Sequence, residues 1–193
     1  MMRRKSPTND AVFHITAGRD RAGLDVKHIS SFKVEQSGWG VFAVTGLARG
    51  EFALEYRGDL ISAEESQRRR RVYHGTMKGF MLDFLWHGKF WTIDAARDDG
   101  SLGRLVNDDH INPNCKMKRL IVEGRPQLCL FALRDITPGE EITYDYGDAD
   151  CPWRSEVTES GMEADNNHLE SEGASGDDQH RIKPSQHKSA FGV

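Results

Sequence analysis

The sequence predicts a mostly β fold with one or two short helices, on three observations. Short stretches of branched and aromatic residues recur through the middle of the chain, each bounded by a turn containing glycine or proline. Only one segment carries both a helix start signal and a run of helix formers. Strand-like and helix-like segments do not alternate and no internal repeat is present, which argues against a parallel βαβ architecture.

Each element has its own local reason. Val41-Phe42-Ala43-Val44 follows Gly38-Trp39-Gly40 and reads as a short strand. Ala48-Arg49-Gly50 is a turn. Phe52-Ala53-Leu54-Glu55-Tyr56 reads as the next strand, ended by Arg57-Gly58-Asp59. A helix begins at Ser62, because Ser62 with Glu65 forms a capping-box pattern. Residues 63–73 are rich in helix formers, and Gly75 stops them. Residues 80–86 and 90–94 form a hairpin around His87-Gly88. Residues 118–122 and 127–133 form another around Glu123-Gly124-Arg125-Pro126. Thr137-Pro138-Gly139-Glu140 is a turn, and residues 141–144 make a last short strand.

Charge divides the 193 residues into three parts. Residues 1–29 hold six basic and three acidic side chains, net +3, and read as a flexible N-terminal segment. Residues 30–154 hold 17 basic and 19 acidic, net -2, enough chain for one compact domain. Residues 155–193 hold three basic and eight acidic, net -5, with few large apolar residues, and read as a disordered acidic tail. The whole chain has net charge -4 and mean hydropathy -0.63. That balance argues against wholesale nucleic-acid binding, and no apolar run is long enough for a membrane span. The basic N-terminus has no apolar stretch after it, unlike a secretory signal. Cys115, Cys129 and Cys151 are too few for a disulfide framework and fit a reducing compartment.

Several motifs could carry chemistry, and each has a plainer reading. Gly38-Trp39-Gly40 permits close backbone approach to a ligand, or is a turn into a strand; it lacks the third glycine of a dinucleotide fingerprint. Asn107, after Arg104-Leu105-Val106, can read an adenine edge, and Asn112-Pro113-Asn114-Cys115 can equally be a turn. Tyr144 and Tyr146 share a face of an extended segment, so they line a slot for an amine or simply pack. Arg68-Arg69-Arg70-Arg71 reads mainly as a solvated helix face paired as Glu64–Arg68 and Glu65–Arg69, and otherwise as a phosphate-binding or nuclear-import patch. Asp98-Asp99 and Asp108-Asp109-His110 match no familiar metal spacing, so no metal is assigned.

Taken in order, the motifs resemble one family. They are Gly38-Trp39-Gly40-Val41, Glu55-Tyr56-Arg57-Gly58, Asp94-Ala95, Gly103-Arg104-Leu105-Val106-Asn107, Asn112-Pro113-Asn114-Cys115, Gly139-Glu140-Glu141 and Tyr144-Asp145-Tyr146-Gly147. The set resembles the SET domain of protein lysine methyltransferases over residues 30–154, nearest to the branch that monomethylates histone H4. Leu102-Gly103-Arg104-Leu105, Asp148 and Pro152-Trp153 strengthen that likeness.

The resemblance implies a β-clip fold in which the C-terminal segment passes through an earlier loop. It implies S-adenosyl-L-methionine as cofactor, a histone tail peptide or nucleosome as partner, and a nuclear location, with a cytoplasmic one as the second option. Gly38, Trp39, Gly40, Arg104, Asn107, Asp108 and Trp153 are its implied cofactor residues; Trp153 would stack on the adenine. Tyr146, Tyr56 and Tyr144 are its implied catalytic residues. Tyr146 lines the lysine channel, Tyr56 orients the amine and Tyr144 restricts the product to one methyl group. The resemblance leaves oligomeric state open and implies neither a membrane nor sequence-specific DNA. One departure stands out. The family usually has Asn-His-Ser where this chain has Asn107-Asp108-Asp109, and the loop to Asn112 is one residue longer. That change supports an alternative: a catalytically inactive SET-like module that holds a basic histone tail or another protein.

Overall fold

The computed structural model describes residues 6–29 and 38–147. The order is α1 (Pro7–Ala17), β1 (Leu24–Ile29), β2 (Gly38–Ala43), β3 (Phe52–Glu55), β4 (Asp59–Ser62), α2 (Ala63–Val72), β5 (Met81–Trp86), β6 (Lys89–Asp94), β7 (Asn107–Asp108), β8 (Cys115–Val122), β9 (Arg125–Ala132) and β10 (Thr143–Tyr144). Short 3-10 turns cover Gly75–Phe80 and Gly103–Leu105. The strands form three sheets, ordered β1-β2, β3-β9-β8-β10-β7 and β4-β6-β5.

The feature that builds the site is the threading of β10. It pairs in parallel with β7, Thr143 opposite Asn107 and Tyr144 opposite Asp108. On its other side it pairs in parallel with β8, Tyr144 opposite Cys115. Residues 109–114 join β7 to β8, so they must cross over β10. The last segment therefore passes through that loop, an arrangement few folds use. Asn114 stitches it in place, at 3 % exposure. Its Nδ2 donates to the Glu141 carbonyl at 2.6 Å, and its Oδ1 accepts from the Thr143 N–H at 2.9 Å. Before the crossing, residues 136–142 run antiparallel beside β2, with Ile142 N–H bonded to the Val41 carbonyl and Gly139 N–H to that of Ala43.

Val41, Leu54, Val106, Leu128, Leu130, Ile136 and Ile142 are fully buried and make the centre of the core. Each contributes about 1.5–3 kcal/mol relative to an exposed side chain. Both hairpins form, and both turns place two consecutive residues at positive φ: His87 and Gly88, then Glu123 and Gly124. This matches the twist of the flanking strands. The second turn is shorter than the four residues expected, because Arg125 and Pro126 already belong to β9. Pro126 is tolerated there because it lies beyond the end of β3, whose pairing with β9 stops at Glu55–Cys129.

The expectation of a flexible segment over 1–29 is corrected. Ser6 caps α1 by accepting the Asn9 N–H, Pro7 starts it and Gly18 closes it at φ 61. Ala11 is completely buried with Phe52, Cys129 and Phe131, and Ile15 packs against them. The folded unit thus begins before residue 30, since β1 pairs with β2 along its whole length. The tail over 155–193 lies outside the described residues.

Of the two expected arginine pairs, Glu65–Arg69 forms, while Arg68 pairs with Glu65 in place of Glu64. Glu65 takes both Arg68 and Arg69, while Arg69 also reaches Asp59 and the buried Asp94, at 3.0 and 2.8 Å. Arg69 therefore ties α2 to β4 and β6 and is not merely a solvated side chain. No helix among the described residues is long and apolar enough to cross a membrane.

Candidate active site

The crossing gathers residues from four distant parts of the chain. Asn107 leads β7, and its Nδ2 donates to the Trp39 carbonyl at 3.1 Å and to Glu141 Oε1 at 2.7 Å. Glycine at residue 40 leaves room for this pair. A Cβ there would meet Glu141 Oε1 at 2.6 Å and Asn107 Nδ2 at 3.2 Å. Burial raises the Glu141 carboxyl above its ordinary value, partly countered by the Asn107 bond.

Two of the three tyrosines pack together, and Tyr56 is near enough to bear on the Tyr146 phenol. Tyr56 is buried, and its hydroxyl donates to the Phe80 carbonyl at 2.9 Å. Its backbone rests on Gly103, where a Cβ would stand 2.1 Å from the Glu55 carbonyl oxygen. The rings of Tyr144 and Tyr146 lie 4.6 Å apart. Tyr146 is held at both ends: its hydroxyl donates to the Val106 carbonyl, and its N–H donates to Asp108 Oδ1 at 2.8 Å. Burial lifts the Tyr56 phenol far above its ordinary value. Burial also raises Tyr146, helped by the nearby Tyr56, Asp108 and Glu141. Both phenols stay neutral at physiological pH, so they act by hydrogen bonding and shape.

Other expected residues fare differently. Gly38 pairs with Ile29, and an added Cβ there would meet open space, so only Gly40 needs to be glycine. Trp39 is 48 % exposed, edge-on to His28 at 5.3 Å. Arg104 is 8 % exposed, donates to the Ala95 and Ala96 carbonyls and lies over the Phe80 ring at 4.3 Å. Those bonds make it a brace for the wall around Tyr56. Trp153 lies outside the described residues. Among the described residues, no group of three or more His, Cys, Asp or Glu is placed to hold a metal.

Two residues of the site had no role in the sequence reading, Glu141 and Asn114. Glu141 sits beside another acid, and only contacts tell them apart: Glu140 turns to Arg134 and Thr137. Nothing in the Asn112-Pro113-Asn114 spacing marks Asn114 as the stitch.

Asn107 offers an amide next to the exposed Trp39, and Gly40 brings the backbone of β2 close to it. Both protons of the Asn107 Nδ2 are bonded within the chain, to the Trp39 carbonyl and to Glu141.

Comparison with known proteins agrees with this geometry. The family model described as SET domain matches residues 38–147, more than half of the chain. An "N-lysine methyltransferase KMT5A-A" of Danio rerio is 38% identical over 117 residues, 60% of this chain and 34% of that protein. A "Histone-lysine N-methyltransferase Set8" of Drosophila pseudoobscura pseudoobscura is 43% identical over 128 residues, 65% of this chain and 18% of that protein. The solved structure of CpSET8 from Cryptosporidium superposes with a TM-score of 0.59 at 30% identity, covering 70% of this chain and 62% of that one. The chain spans about a third of the length of the vertebrate relatives it matches.

Proposed function

The chain belongs to the SET-domain family, and on that premise we propose that it is an S-adenosylmethionine-dependent protein lysine N-methyltransferase that adds a single methyl group to a histone-type tail. The observation that carries this reading is the paired rings of Tyr144 and Tyr146 at the threaded crossing, on the segment that lies against Asn107. Asn107 and the backbone of Trp39 and Gly40 would hold the cofactor, with Trp153 against its adenine. When bound, the cofactor supplies the methyl electrophile.

The remaining work falls to the chain's own residues. A lysine attacks only as the neutral amine. An aromatic, water-poor channel disfavours the ammonium form by desolvation, so the proton leaves to solvent before transfer. Neutral Tyr56 and Tyr146 orient the amine by hydrogen bonds rather than by taking its proton. Tyr144, 3 % exposed against Tyr146, limits the room for a second methyl group. The net negative charge of residues 30–154 suits a basic tail. The histone-lysine names of the relatives support a histone substrate and a nuclear location.

The non-catalytic alternative drew on Asp108-Asp109. Both carboxylates have structural partners that leave the tyrosines in place: Asp108 takes the Tyr146 N–H, and Asp109 takes those of Ile111 and Asn112. The test is incubation of the full chain with S-adenosylmethionine and a histone H4 tail peptide, read by mass spectrometry. The expected product carries one added methyl group, lost in Tyr146→Phe. Cofactor binding without transfer to any histone tail moves the assignment to the non-catalytic module.

A further inference from the structure

The departure at Asp108-Asp109 has a structural use of its own. We infer that Asp108 is a positioning residue for Tyr146, replacing by its carboxylate a contact that the strand ladder no longer makes at that point. β10 ends at Tyr144, whose last register partner is Asp108. One further backbone bond follows, from the Asp109 N–H to the Tyr144 carbonyl at 3.2 Å. Two residues on, the Tyr146 N–H has left the ladder and would otherwise face solvent. The Asp108 side chain reaches forward and accepts it at 2.8 Å.

The Tyr146 hydroxyl is bonded to the Val106 carbonyl, so residues 106 and 108 grip both ends of one side chain. A tyrosine gripped only at its hydroxyl can still pivot about its backbone. One gripped at both ends cannot. Asp109 has the complementary task. Its Oδ1 accepts the Ile111 and Asn112 N–H groups at 3.0 and 2.9 Å, folding the longer loop on itself. The extra residue is thereby absorbed before Asn114, which keeps its two bonds to the threaded segment. His110 Nδ1 lies 3.6 Å from Asp108 and is largely exposed, so it does not displace the Tyr146 bond. The two aspartates act as one device: one seats the tyrosine and the other takes up the loop.

The kinetic half of this inference rests on the methyltransferase reading, and the structural half does not, so the test uses both. The full chain is compared with Asp108→Ala and Asp108→Asn, the latter keeping an acceptor oxygen. Amide hydrogen exchange at Tyr146 is the first readout. Exchange should quicken by about tenfold or more in Asp108→Ala and stay near wild type in Asp108→Asn. Methyl transfer to a histone H4 peptide is the second. In Asp108→Ala, kcat should fall on the order of a hundredfold. KM for the peptide should hold within about twofold and Asp108→Asn should recover most of the rate, because misorientation and not binding is lost. Unchanged Tyr146 exchange in Asp108→Ala overturns the inference. So does a loss confined to cofactor affinity, which would make Asp108 a direct cofactor contact. A wild-type chain that binds cofactor and transfers nothing overturns the enzymatic reading alone, and the exchange result still decides the positioning role.

Discussion

Tyr144 is where a single hydroxyl separates one chemical outcome from another. Its ring is locked between Tyr146 and the core, and its backbone is paired on both sides, with Asp108 and Cys115. Phenylalanine would keep the ring and the pairing and give up only the hydroxyl. Tyr144→Phe is therefore expected to fold normally, losing about 1 kcal/mol or less. It is also expected to shift product from mono-methyl toward di-methyl lysine. Intact-mass spectra of product peptides check this, and mono-methyl product alone would rule it out. At this scale part of the site was legible. Two tyrosines two residues apart on extended chain share a face, and their ring distance shows it. Glu141 was not legible, because its partner Asn107 is 34 residues away and its acidic neighbour looks identical in sequence.

At the scale of elements, local signals worked wherever the cause was local. The Ser62 cap is present, with its oxygen accepting the Glu65 N–H. Both hairpins follow from turn residues that tolerate positive φ. The miss was α1. Its cap, proline and closing glycine all stand in the sequence, yet its polar composition hid the narrow apolar contact made by Ala11 and Ile15. That contact has no counterpart within the helix, since Phe52, Cys129 and Phe131 come from β3 and β9. Ser6→Ala, which removes the 3.2 Å bond to the Asn9 N–H, is expected to cost about 1 kcal/mol. Urea unfolding of the two chains measures the difference. An unchanged midpoint would mean that α1 contributes nothing to the folded unit.

For the whole molecule, pH reports how the N-terminal segment is joined to the rest. Asp20 accepts the Leu102 N–H at 3.0 Å, and Arg57 bonds Glu55 through Nε at 3.1 Å and lies 3.8 Å from Asp20. Burial raises both carboxyls above their ordinary values, against the lowering pull of Arg57 and, for Asp20, of the Leu102 bond. A carboxyl raised on folding binds its proton more tightly in the folded chain than in the unfolded one. Its contribution is complete below the unfolded value, 4.5 for Glu55, and is lost as pH rises through the higher folded value. Glu65 works in the opposite sense: Arg68 and Arg69 hold it down to about 2, so its contribution is complete above the unfolded value of 4.5 and is lost as pH falls from there toward about 2. The windows do not overlap. As pH rises above 4.5, Glu55→Gln is expected to flatten the fall in stability that this carboxyl predicts for the unaltered chain. Denaturant midpoints at several pH values test this, and parallel curves would refute it.

By itself the sequence determined the class of fold, the strands and hairpins of the middle region, the order of the family motifs and the identity of the three tyrosines. The fold class, strands and hairpins follow from nearest-neighbour causes, side-chain alternation, capping and turn conformation, whereas the tyrosines stand out only through the family resemblance. Only the tertiary structure decided that β10 runs between β7 and β8, that α1 belongs to the folded unit, that Glu141 and Asn114 build the site, and that Asp108 seats Tyr146. The physical reason is the same in each case. These are contacts between segments far apart in the chain, selected by the burial and hydrogen-bonding demands of the assembled core. No local pattern encodes which distant backbone group a given carboxylate or amide will meet.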